Sequence, residues 1–365
     1  MGTNIPISSK NIIKTNCTLL KDRKLIKKSD TKEYIYYLIN IKIDEKEIIL
    51  IFTPEHIFIY ELPTLKKVYD ENIELNYYSF IFVNRIQKLK NNLLILMKRD
   101  YTISLIIKKD KNLNKYNIYK GNIFNYSLSC INLVELSNNN LVLLTNNSIY
   151  IFKSNDEKEI EFKEFFNNKN IIKQKLPFYT LDYQIKIDTS YNYLDIISMN
   201  DDIIVYHNTK YIYVYSLNNK QNIFNIEVII HPSTDDIIKK ISEDIFFFCG
   251  KNIIYFISIK LGMIIKQITL PKYFHIVASN YLNDNNIVFA CIRNYFDYIN
   301  SYKGTIIFGQ FSYKINKNKE KDNLEIELKS DLQLQCNGEG NIYINELEDG
   351  KIVTCTKNNI YIYSS

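Results

Sequence analysis

Asn345-Glu-Leu-Glu-Asp-Gly-Lys-Ile-Val-Thr-Cys-Thr-Lys-Asn-Asn-Ile-Tyr-Ile-Tyr363 holds two short apolar runs on either side of the polar turn Lys357-Asn358. The first run, Ile352-Val-Thr-Cys355, follows Asp349-Gly350, a pair suited to a tight turn. The second, Asn359-Ile-Tyr-Ile-Tyr363, alternates Ile with Tyr. Alternation with a period of two is the mark of a half-buried strand, so the stretch predicts a pair of antiparallel strands.

The same second strand recurs as His56-Ile-Phe-Ile-Tyr60, Tyr101-Thr-Ile-Ser-Leu105, Ser148-Ile-Tyr-Ile-Phe152, Tyr211-Ile-Tyr-Val-Tyr215, Ile253-Ile-Tyr-Phe-Ile257 and Thr305-Ile-Ile-Phe308, seven copies in all. Its partner begins at Ile48, Leu93, Leu141, Ile203, Ile245, Ile287 and Ile352. Counted to the anchors Ile57, Ile103, Ile149, Ile212, Ile254, Ile306 and Ile360, the offsets are 9, 10, 8, 9, 9, 19 and 8 residues. The anchors lie 46, 46, 63, 42, 52 and 54 residues apart, close to the ~40 to 45 of a four-stranded propeller blade plus insertions. A third apolar segment precedes each copy, as in Cys130-Ile-Asn-Leu-Val134, Tyr193-Leu-Asp-Ile-Ile197 and Asn341-Ile-Tyr-Ile-Asn345. The repeating unit is therefore at least a three-stranded meander.

Blades packed in a ring bury their faces against neighbours, whereas an open stack exposes strand edges at both ends. The sequence runs only to the third strand of its last copy, so the fourth must come from elsewhere. The spare segment is N-terminal, either Asn11–Leu20 or Lys24–Lys27. The expected fold is all-β: a single seven-bladed β-propeller spanning 1–365, its ring closed by an N-terminal strand within 1–30 that joins the last blade. The expected blades are approximately 33–72, 78–120, 128–166, 190–230, 236–270, 274–330 and 340–365. Two β-sandwich domains are the alternative for short strands with frequent turns.

The last copy resembles the core of a WD40-type repeat, in which L-x-D-G, an apolar strand and an Ile-x-Ile-aromatic strand follow one another. Val134-Glu-Leu-Ser-Asn-Asn-Asn-Leu-Val-Leu-Leu144 and Ala278-Ser-Asn-Tyr-Leu-Asn-Asp-Asn-Asn-Ile-Val-Phe289 are weaker echoes. The resemblance implies a WD40-like propeller, with Tyr60, Tyr215 and Tyr363 in the place of the family's Trp. No Gly-His dipeptide and no Trp-Asp pair occur, so the family's Asp-His-Ser-Trp network is not encoded.

Composition narrows the function. The chain has 365 residues, 46% hydrophobic and 24% charged, with 46 Lys and Arg against 40 Asp and Glu, a net charge of +6. That is mild for this length and argues against a dedicated nucleic-acid binder. Ala occurs only at Ala278 and Ala290, Trp is absent, and Ile, Tyr and Phe abound. This follows AT-rich codon usage and also favours strands. The six cysteines (Cys17, Cys130, Cys249, Cys291, Cys336, Cys355) are far apart with no C-x-x-C. They read as buried free thiols, with no metal site. The opening Met1–Pro6 has no apolar secretion core and places Pro6 where a myristoylation signal needs Ser or Thr. No apolar run approaches the ~18 residues of a membrane span. The protein is expected to be intracellular, reduced and cytoplasmic.

No constellation points to catalysis, a cofactor or a metal. The nine glycines form no phosphate-binding loop, and no nucleophile elbow or HExxH occurs. Asp201-Asp202, Asp235-Asp236 and Glu243-Asp244 read as solvated turns. The four arginines stand apart, without the adjacent pair that clamps a phosphoinositide. His56 and His207 sit in turns joining second and third strands and read as exposed rim residues. The segment Asn155–Phe166 with Leu176–Tyr179 is either an interface insertion or, through Ile160, Phe162 and Phe165, the outer strand of the third blade. Arg293–Lys303 enlarges one turn with three tyrosines and a Phe, either as a recognition loop or folded back on the ring.

The function expected is a non-catalytic protein-interaction scaffold. Its presenting residues would be Glu55, His56, Arg99, Asp100, His207, Lys210 and Asn358, with Tyr295, Phe296, Tyr298 and Tyr302. A rigid scaffold concentrates recognition on its loops. Partners would be proteins, as in a multi-subunit complex, with no nucleic acid and no integral membrane contact. The rival is a small-ligand-binding or enzymatic propeller using the central channel.

Overall fold

The computed structural model describes residues 25–31, 35–53, 56–62, 64–72, 83–98, 102–110, 115–124, 130–165, 170–188, 193–228, 238–250, 252–270, 274–282, 286–293, 304–317, 324–338, 343–356 and 359–363. All regular structure among them is antiparallel strand, arranged as seven four-stranded meanders. The first strands of the meanders are Tyr37–Ile43, Val83–Lys88, Asn132–Glu135, Tyr193–Ser198, Ile238–Lys240, Phe274–Tyr281 and Tyr343–Glu346. Each touches the next, and the seventh touches the first, so they form a closed inner ring.

The seventh meander has only three strands of its own, ending in Asn359–Tyr363. Its outer strand is Leu25–Asp30, paired antiparallel with Leu25 opposite Tyr363 and Ser29 opposite Ile360. The ring is thus closed by an N-terminal strand. Of the two expected segments, the structure selects the one around Lys24–Lys27, while residues 11–20 lie outside the described residues.

The core is divided among the seams between sheets. Ile49, Ile51, Phe58 and Tyr60 of the first meander interleave with Val353, Cys355, Ile360 and Ile362 of the seventh. Equivalent clusters join the first and second, second and third, third and fourth, fourth to sixth, and sixth and seventh meanders. The repeated anchors occupy these seams: Ile57, Ile149, Ile212, Ile254 and Ile360 are fully buried. Alternation puts both faces of a second or third strand against a neighbour, which is why these strands are apolar nearly throughout.

The L-x-D-G signature is a turn device. Leu347, Leu136 and Leu89 each begin a turn whose fourth residue donates its N–H back to that leucine's carbonyl: Gly350 (2.9 Å), Asn139 (3.2 Å) and Asn92 (3.0 Å). All three have left-handed φ, +77°, +65° and +61° respectively, where Gly and Asn are the residues least penalised.

The third meander departs from the repeat. Its third strand runs from Ser148 to Glu164 and its fourth from Ile171 to Lys186. Of the two readings of this segment, membership of the third blade holds, although Ile160 and Phe162 extend that blade's third strand and its outer strand is Ile171–Lys186. The far end leaves its own sheet: Lys163 pairs with Lys120 and Glu164 with Tyr119 of the second meander's outer strand, Lys115–Gly121. Two meanders thereby fuse into one eight-stranded sheet. Phe165 donates its N–H to Ile118 at 2.8 Å and is buried in the seam of the first two meanders.

Phe162 fixes this strap. It is fully buried, and a Cβ on Gly121 would lie only 2.7–3.0 Å from its ring carbons. Only glycine permits that approach. Gly121→Ala is expected to cost about 1–3 kcal/mol by overpacking, and Phe162→Ala about 3–5 kcal/mol by leaving a cavity. In the double variant the ring no longer meets the new methyl, so denaturant unfolding should show a total loss smaller than the sum. Strictly additive losses would contradict this contact.

Candidate partner-binding face

Among the described residues, those that open four of the turns between second and third strands share a construction. The residue opening each turn is buried: Thr53, Thr145, Asn208 and Gly250. Thr53, Thr145 and Gly250 donate their N–H to the carbonyls of His56 (2.9 Å), Ser148 (2.9 Å) and Ile253 (2.7 Å). The Thr53 hydroxyl accepts from the His56 N–H at 2.9 Å, and the Thr145 hydroxyl accepts from Ser148 at 3.1 Å. Asn208 Oδ1 accepts from the N–H groups of Lys210 (2.8 Å) and Tyr211 (2.7 Å). Such side-chain latches fix a turn without help from outside. The residues between, such as Asn146-Asn147 and Lys210, are left exposed. This pattern, Thr, Asn or Gly two positions before the exposed tip, was the unread signal in the sequence.

At the opposite end, polar groups reach sideways between meanders. Lys90 Nζ donates to the carbonyls of Leu136 (2.6 Å) and Ser137 (3.2 Å), and Asn138 N–H to Asp201 Oδ1 at 2.8 Å. Glu47 accepts the Glu348 N–H at 3.2 Å, and Lys42 donates to Glu348 at 3.1 Å. Within single meanders two identical latches recur. Asp202 accepts from the Ser216 hydroxyl (2.9 Å) and the Asn218 N–H (2.7 Å), and Asp244 from Ser258 (3.0 Å) and Lys260 (2.6 Å). Asp202 and Asp244, read as solvated turn carboxylates, instead tie two turns together.

The expected presenting residues divide into four groups. Lys210 is exposed at a tip, its ammonium 3.4 Å from Glu227 and above the Tyr211 ring. Bonding to Tyr211 and Glu227 raises its pKa. His56 lies beside its turn, stacked on Phe58, with Nδ1 2.6 Å from Asp70 Oδ1, while Lys67 donates to the other oxygen at 2.6 Å. His207 must be moved off the rim: it is fully buried, edge-on to Phe248 of the fifth meander. As the last inward-facing residue before its turn, it still lies in the seam. Glu55, Arg99, Asp100, Tyr295, Phe296, Tyr298, Tyr302 and Asn358 lie outside the described residues.

Among the described residues no three His, Cys, Asp or Glu side chains gather as a metal site. The thiols of Cys130, Cys249, Cys291 and Cys355 are buried, and burial pushes Cys249 up to about 12, which removes its nucleophilic form near neutrality. No helix among the described residues is long and apolar enough to cross a membrane.

No family model and no curated protein matches the chain by sequence. Solved structures do match. The WD40 β-propeller domain of Doa1 aligns over 94% of this chain and 98% of its own, at 11% identity and a TM-score of 0.52. U3-55K aligns over 95% and 100%, and the WD40 repeats of RRP9 over 96% and 99%, both at 10% identity and a TM-score of 0.57. The fold is a WD40-like propeller. Within it, Tyr60, Tyr215 and Tyr363 are buried near the ends of third strands, and the Asp–Ser latches stand on the propeller's stitched end.

Asp70 supplies a test of the presenting end. Burial alone raises its pKa, but hydrogen bonds from Lys67 and His56 outweigh that and lower it below 3.8. A depressed carboxylate pKa stabilises the fold above the ordinary value and loses that contribution as pH falls through the folded value. The side chain is 38% exposed, so solvent screening limits the effect. Asp70→Asn is expected to cost at most about 1 kcal/mol near neutrality. In urea melts that difference should vanish in acid; a constant difference would show that charge is not its source.

Proposed function

We propose that this propeller is a non-catalytic protein-interaction scaffold, using the end that carries the turns between second and third strands. The observation that carries this reading is the division of labour between the ends. One end engages polar groups in stitches between neighbouring blades, while at the other the buried Thr53, Thr145 and Asn208 side chains lock their turns from within, with Asn146, Asn147 and Lys210 left to solvent. Rigid tips lose little entropy on binding.

The expected partner is a protein or peptide. Glu55, His56, Arg99, Asp100, Lys210 and Asn358 supply polar contacts around the aromatic loop of Tyr295, Phe296, Tyr298 and Tyr302, which would carry most of the affinity. One solved structure with this fold is from a mitotic checkpoint complex, aligned at 9% identity with a TM-score of 0.56, so the architecture is one that multi-protein assemblies use. A cytoplasmic complex without nucleic acid or integral membrane contact fits the mild charge.

Affinity purification from source cells at about physiological salt, where exposed charges are screened, tests the proposal. Wild-type protein should retain a stoichiometric protein companion. Tyr295→Ala with Phe296→Ala should lose it and Lys210→Glu should weaken it, with melting temperatures unchanged. Retention by both variants, or a clean monomer from wild type, would contradict the proposal.

A further inference from the structure

Beneath the presenting end, three inner strands converge on one carboxylate oxygen. Asp195, on the fourth blade's inner strand, is 3% exposed, and its Oδ1 accepts the Ile196 N–H at 2.8 Å. The same atom accepts Asn132 Nδ2 from the third blade and lies 3.1 Å from Arg85 Nη1 of the second. Asn132 also donates to the Ile196 carbonyl at 3.4 Å. A single buried anion therefore pins three blades together near the channel.

His207 stands directly opposite Asp195 in the strand pair, where side chains sit within roughly 4.5–5.5 Å at Cβ. It is fully buried. Its Nδ1 lies 3.3 Å from the Asn208 carbonyl, and its Nε2 has no hydrogen-bond partner. Besides Asp195, Arg85 acts on it electrostatically; farther along the same contacts, the Cys130 thiol donates to the Asn132 carbonyl at 3.1 Å, and the Tyr255 ring neighbours Phe248, which His207 touches edge-on. Burial lowers the imidazole's pKa, Arg85 adds to that, and Asp195 opposes it. Burial likewise holds the Cys130 thiol and the Tyr255 phenol protonated. Asp195 is thus the anion a protonated His207 has beside it.

We propose that His207 is a proton-operated release for this clamp: a proton taken from solvent makes an imidazolium that draws the Asp195 carboxylate from Arg85 and Asn132, loosening the inner strands of the second, third and fourth blades. At neutral pH the ring is uncharged and the clamp closed. In mild acid the corner opens locally, ahead of global unfolding. The proposal does not depend on the partner-binding reading.

Hydrogen exchange of the full chain at about pH 7.5 and about pH 5.5, corrected for intrinsic rates, tests it. Amides of Asn132–Glu135 and Tyr193–Ser198 should lose protection by up to about tenfold in acid, the limit for one imidazole of ordinary pKa in the open state, while Ile48–Phe52 in the first blade should not. His207→Phe, which keeps a ring against Phe248 but binds no proton, should abolish the loss. Should that variant not fold, exchange at the imidazole C2 of wild-type His207 decides instead, with an expected midpoint below 6.5. Equal protection at both pH values, a loss that persists in His207→Phe, or a midpoint at or above 6.5 would each overturn the proposal.

Discussion

Every seam of this molecule depends on the ring being closed, and the ring is closed by backbone pairing between Leu25–Asp30 and Asn359–Tyr363. A four-stranded sheet is apolar on both faces here, as Ile49 and Ile51 alternate with Ile48 and Leu50 to face different neighbours. No sheet can bury both faces unless it has a neighbour on each side. Closure supplies the last neighbour, and the shared seventh sheet makes the two chain ends part of one cooperative unit. Between inner strands the closure is reinforced by half-buried amides: Asn40 donates to the Glu346 carbonyl (3.2 Å) and Asn280 to that of Ile344 (3.0 Å).

Closure also assigns the two ends their roles. Turns between first and second strands lie close to the channel, where neighbouring blades approach, so Lys90, Glu47 and Lys42 find partners across a seam. Turns between second and third strands stand farther out and must be stabilised within themselves, which Thr53, Thr145 and Asn208 achieve. The self-contained build of those turns follows from radial position as much as from residue identity.

The repeat was legible because five third strands carry a fully buried Ile at the same point, and because the left-handed turn residue is Gly or Asn in three copies. Three features were not fully legible. The Ser148–Lys186 hairpin lengthens the spacing between anchors to 63 residues, which left an insertion and an outer strand of the third blade both open; Ile160 and Phe162 instead continue that blade's third strand, facing Gln174 and Ile172 across the pair. The Arg85–Asn132–Asp195 clamp joins residues distant in the chain, and no local pattern marks it. His207 was placed by its nearness to a turn, whereas its burial is decided by Phe248, a residue of the next blade.

The most direct measurement of ring closure is the thermal unfolding of a chain beginning at Thr31, with and without a synthetic peptide spanning residues 21–31. The account predicts that the shortened chain loses its single cooperative transition or melts lower by about 10 °C or more, and that the peptide restores the transition in a dose-dependent way. A shortened chain that melts as the full-length protein does, indifferent to the peptide, would contradict it.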